Sequence, residues 1–85
     1  MPEIIRLFGY SFLFYANDHE PIHIHVVGKG SSAKFVWSDE SSKFELVENF
    51  KIKGGDIRKI QEVINNNEDL IKTSWIDFFI NNKKR

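Results

Sequence analysis

The chain's three histidines fall in one short run, Asn17-Asp18-His19-Glu20-Pro21-Ile22-His23-Ile24-His25-Val26-Val27. Histidine changes charge near neutral pH more readily than any other side chain, and its neutral ring is the commonest metal ligand. His23 and His25 stand two apart in an apolar, β-branched stretch, and the period of a strand points both rings to one face. With His19 or Asp18 completing the shell, they could hold zinc, nickel or copper and leave a position for water. Further ligands would have to be carboxylates, such as Asp39, Glu40, Glu45 or Glu48.

Two other readings use the same residues. In a metal-free ribonuclease, His23 and His25 would be the catalytic candidates, one taking the 2′-hydroxyl proton and the other protonating the leaving oxygen, with Lys29 or Lys34 facing the phosphate charge. In a non-catalytic interaction module, Asp18 and His19 close a turn, and the strand histidines bond backbone or carboxylates. The strand's edge or face is then free for a partner protein. The residues alone leave all three open. In each, the functional surface centres on Tyr15, Asp18, His19, His23 and His25, with Lys34 as a ligand-binding candidate.

Composition narrows the classes. Eighty-five residues are expected to form a single domain, residues 1–85, and twelve basic side chains balance twelve acidic ones. No global field therefore draws the protein to nucleic acid, and any RNA binding must come from a local patch. Eight Phe, two Tyr and two Trp predict a core built on aromatic rings. The absence of cysteine excludes disulfides, thiolate nucleophiles and Cys-based zinc sites, and fits a reducing cytosol. No apolar run approaches the roughly 20 residues that span a bilayer. A soluble, cytoplasmic protein without a membrane partner is expected, and a homodimer is left open.

The elements that must position the histidines follow from spacing. Ile4 to Phe8 and Tyr10 to Tyr15 read as strands around Gly9, which together could form one long bent strand. Asn17 to Pro21 reads as a turn and Ile22 to Val27 as the next strand. Gly28-Lys29-Gly30 is a hairpin turn, not a phosphate loop, because no helix pattern follows it. Ser32 to Trp37 comes next, with Ala33, Phe35 and Trp37 on one face, and then Lys43 to Val47, while Asn49 to Lys53 has no evident register. Ile57, Ile60, Val63 and Ile64 predict a helix with Asp56 as N-cap. Asn65-Asn66-Asn67 interrupts it, and Leu70, Ile71, Trp75, Phe78 and Phe79 form the apolar stripe of a second helix, with Lys83-Lys84-Arg85 favouring its C-terminal end. The expected class is α+β, a small antiparallel sheet of about four strands with two C-terminal helices packed on one face.

The pattern resembles a family of small bacterial proteins known as domain of unknown function 4160. The resemblance rests on Met1-Pro2 followed by Ile4, on Gly9, on Tyr15 followed by Asp18-His19-x-Pro21-x-His23-x-His25-Val26, on Ala33, and on Trp75. Members usually place two prolines in succession ahead of the middle histidine, and here the second position is Ile22. The resemblance implies no established activity. Genes of the family often neighbour those of another small family, an arrangement similar to toxin and antitoxin pairs, which implies a cognate small protein as partner and RNA as a second candidate.

Overall fold

The computed structural model describes residues 3–81; the basic stretch Lys83-Lys84-Arg85 lies outside them. Five strands form one antiparallel meander in the order β1 (Glu3–Leu7), β2 (Tyr10–Leu13), β3 (His23–Gly28), β4 (Ser31–Ser38) and β5 (Lys43–Phe50). Helices α1 (Gly54–Asn66) and α2 (Glu68–Trp75) follow, and α2 runs on into a π-helical turn over Ile76–Ile80.

The sheet has one strand more than expected, because the first two apolar runs are not a single bent strand. Phe8 and Gly9 both take positive φ, 32° and 88°, and Leu7 sits opposite Tyr10. Positive φ at both central residues is the two-residue hairpin turn whose twist matches that of its strands. Lys29 and Gly30 repeat the device between β3 and β4, with φ of 54° and 73°. β5 continues past its expected end at Val47 to Phe50, after a register shift opposite Lys34 and Phe35. Asn49 then fixes the exit, its side chain accepting the Ile52 N–H at 3.0 Å and donating to the Ile52 carbonyl at 3.1 Å.

Strand alternation supplies one wall of the core: Tyr10 and Phe12 from β2, Ile24 and Val26 from β3, Ala33 and Phe35 from β4, and Phe44 from β5. The helices supply the other wall through Ile60, Ile64, Ile71 and Trp75, paired at the spacing of four that stacks side chains on one helix face. Leu70 leaves the expected stripe. It precedes the buried Ile71, so it points about 100° away from the core line and is 46% exposed. Asp56 is not the N-cap of α1; Lys53 occupies that position, and Asp56 in the first turn accepts a hydrogen bond from the Tyr10 hydroxyl at 3.0 Å. That tertiary bond outcompetes the local cap, while the carboxylate keeps a favourable place beside the positive helix end. Asn67 closes α1, donating its backbone N–H to Ile64 O at 3.1 Å and its Nδ2 to Val63 O at 2.7 Å. Among the described residues no helix is long and apolar enough to cross a membrane.

Phe35 lies fully buried on the central strand pair, so Phe35→Ala should lower unfolding stability by about 3–5 kcal/mol. Leu70→Ala should cost only about 0.5 kcal/mol, as at other surface positions. Urea unfolding with a common m-value checks both.

Candidate functional site

The site forms where the chain leaves β2 and re-enters the sheet as β3. Phe14 is buried beyond the end of β2, and the backbone then turns, with the Asp18 N–H donating to Tyr15 O at 3.0 Å and Asp18 Oδ2 accepting the Tyr15 N–H at 2.9 Å. Aspartate favours such turns because its short side chain can bond nearby backbone. The reciprocal pair fixes the carboxylate. The Glu20–Pro21 peptide is cis, and Ile22, at the position where the resemblance expects a second proline, packs against the core and accepts the Trp37 N–H at 2.9 Å. β3 therefore enters the sheet with His23 as its first residue.

Asp18 then meets both strand histidines. Its Oδ1 lies 3.2 Å from His23 Nε2, its Oδ2 lies 3.2 Å from His25 Nε2, and Oδ1 is also 3.3 Å from the latter nitrogen. The three side chains are largely withdrawn from solvent, at 11% exposure for Asp18, 8% for His23 and 19% for His25. Rings enclose them: Tyr15 lies 4.5 Å from His25 between centroids, and Trp75 lies 5.1 Å from His23, with Phe79 4.2 Å beyond Trp75.

The proton inventory of His23 decides what this geometry means. Its Nδ1 is 2.8 Å from the carbonyl oxygen of Pro21, and a carbonyl only accepts, so Nδ1 carries a proton. Its Nε2 then turns either a second proton or a lone pair toward the Asp18 carboxylate. A lone pair and a carboxylate oxygen at this distance repel unless a cation lies between them, and that cation is a proton or a metal ion. A backbone carbonyl on Nδ1–H with Nε2 turned to a ligand is also how metal-binding histidines are oriented. The ligand atoms of Asp18, His23 and His25 all lie within 4.8 Å of one another. Taken from the single atom Oδ1, the 3.2 and 3.3 Å separations to the two Nε2 atoms are close to the ~3.4 Å edge of a tetrahedron drawn with bonds of about 2.1 Å.

Burial alone would raise the Asp18 carboxyl, but the Tyr15 amide and the two imidazoles outweigh it and hold the group below its usual range. Burial also moves His25 below its ordinary value, joined by the nearby His23 and Lys34 charges, although Asp18 opposes the shift. At neutral pH the His25 ring is thus held neutral, the form that ligates metals.

His19 stands outside the cluster, exposed, with Nδ1 3.1 Å from Glu20 O, so Asp18 rather than His19 makes the third corner. Lys34 pairs directly across from His25 on β4, and it lines a groove of about 450 Å³ with Tyr15, His25, Ser32, Glu48 and Phe50. Asp39 accepts the Trp37 indole N–H at 2.8 Å and, with Glu40, Glu45 and Glu48, stays out of the ligand group. The apolar stripe of the second helix marks Trp75 and Phe79 as core positions. They also wall the site and line a cleft beside Asp18 and His19, and no spacing signal in the sequence links α2 to the histidines.

Fold and site together define a small α+β protein with an Asp–His–His group set at the turn between β2 and β3. Residues 9–76 match the family described as Domain of unknown function (DUF4160), and the chain belongs to that family. No curated protein and no solved structure matches it.

Both shifted groups bind protons more weakly folded than unfolded. Their stabilisation is present above the unfolded values, 6.5 for His25 and 3.8 for Asp18, and is lost as pH falls through the lower folded values. With a chelator present, the thermal midpoint should fall as pH drops below 6.5 and again as it drops below 3.8. The first fall should be smaller in His25→Gln, as a thermal scan by circular dichroism would show.

Proposed function

We propose that Asp18, His23 and His25 bind a divalent transition metal, zinc or nickel, with the fourth position open to water or an external ligand. The observation that carries this is the Pro21 carbonyl on His23 Nδ1, because it aims the Nε2 atom at a carboxylate that already faces a second imidazole. Three protein ligands with an open position is the pattern of catalytic zinc sites, where the metal acts as a Lewis acid and lowers the pKa of bound water. The Tyr15, Ser32 and Lys34 groove beside His25 gives an external ligand a way in, and Lys34 brings a positive charge to it.

The metal-free ribonuclease is less well supported by this arrangement. Both Nε2 atoms converge on one carboxylate instead of standing on either side of a phosphate, and His23 Nδ1 is already committed to backbone. A cognate small protein, as in toxin and antitoxin pairs, is kept as a proposed partner on the family resemblance alone, and the metal reading does not depend on it.

Calorimetric titration of zinc and of nickel should give one site per chain, with the thermal midpoint rising as metal is added. At a hundredfold excess over Kd the added stability should be about 2.7 kcal/mol. Asp18→Asn and His23→Ala should lose both effects, and His19→Ala should keep them. Equal stabilisation of wild type and His23→Ala, or no saturable heat with either metal, would refute the site.

A further inference from the structure

Net charge is zero over the whole chain, but the meander separates the charges. The β2–β3 and β4–β5 connections put Asp18, Glu20, Asp39 and Glu40 at one end of the sheet. The two-residue turns and the link from β5 to α1 put Lys29, Lys51 and Lys53 at the other. An eight-residue strand such as β4 is roughly 26 Å long at about 3.3 Å per residue, and charges in physiological salt are screened beyond about 8 Å. Each end therefore presents its own field.

At the basic end the three lysines line one cleft of about 490 Å³, together with Tyr10, Ser31 and Asp56. Asp56 is the single carboxylate there, and its Oδ2 is engaged by the Tyr10 hydroxyl at 3.0 Å. Among the described residues none of the three lysines forms a salt bridge. Two of them are held by aromatic rings: Lys29 Nζ lies 5.0 Å from the Tyr10 centroid and Lys51 Nζ 5.1 Å from that of Phe50. The stem of Lys29 crosses Gly9 so closely that a Cβ there would come within 2.6 Å of its Cε. Lys29 and Lys51 also occupy positive φ, 54° and 68°, where glycine would be the less strained residue. Phe8, edge-on to Tyr10 of the cleft, is 41% exposed, and Phe50, which carries Lys51 on its ring and also borders the groove of His25, is 57% exposed. Unpaired ammonium groups interleaved with exposed aromatic faces are what nucleotide strands bind, phosphates to the lysines and bases to the rings.

We propose that this cleft is a second binding site, separate from the histidines, for nucleotide phosphates presented in single-stranded RNA or as free nucleotide.

The test is fluorescence anisotropy of a labelled RNA of about 12 nucleotides over about 50 to 200 mM salt. For wild type, three phosphate contacts predict a log–log salt slope of about −2. Lys51→Gly should reduce that slope by about 0.7 while raising the thermal midpoint, because it removes a charge and relaxes a positive φ. Its effect therefore cannot come from unfolding. Lys29→Glu combined with Lys53→Glu should abolish binding, whereas His23→Ala should bind RNA like wild type, which keeps this outcome distinct from the fate of the metal site. Displacement of the strand by ADP would identify free nucleotide as sufficient, and failure of ADP to displace it would identify the strand as the ligand. The proposal is overturned if wild type does not bind, if the lysine variants bind equally well, or if polyglutamate displaces RNA as effectively as unlabelled RNA does, since the surface would then serve an acidic protein.

Discussion

One carboxylate shared by two imidazoles is the constraint around which the rest of the site is arranged. Asp18 reaches that position because its own backbone and side chain are tied to Tyr15, and the strand histidines reach theirs because β3 begins at His23. The carbonyl of Pro21 sets the tautomer of His23, and that tautomer demands a cation between Nε2 and the carboxylate. The aromatic wall of Tyr15, Trp75 and Phe79 lowers the polarity around the group and so strengthens every charge inside it. Removing Asp18 would leave two neighbouring rings without the group that reconciles them.

Much of this was legible in the sequence where the cause is local. The period of two in Ile22 to Val27 set His23 and His25 on one side, and Gly28-Lys29-Gly30 marked its hairpin. The helices followed from Ile60, Ile64, Ile71 and Trp75, and the break at Asn67 from its composition. What escaped depends on tertiary contact. The choice between His19 and Asp18 rests on the Tyr15–Asp18 turn bonds, Asp56 was drawn from a capping role to Tyr10, and Trp75 meets His23 across some fifty residues of chain. The first hairpin was missed for a different reason: Phe8 takes a positive φ that its residue type disfavours, so only Gly9 signalled a turn.

Sheet topology also changes what the balanced charge means. A meander returns alternate connections to the same end, so the acidic turns share the end from which β3 starts and the lysines collect at the far end without altering the total. The Asp18 carboxylate favours a cation between the histidines, and the three lysines of the far cleft favour an anion.

The central claim is that His23 is held as the Nδ1–H form with Nε2 directed at a cation shared with Asp18. Long-range ¹H–¹⁵N correlation of the ring nitrogens, recorded at neutral pH with chelator and then with zinc, tests it most directly. The account predicts a protonated Nδ1 in both samples, and a zinc-induced shift at Nε2 of His23 and of His25. A neutral His23 carrying its only proton on Nε2, donated to Asp18 and unchanged by zinc, would contradict it.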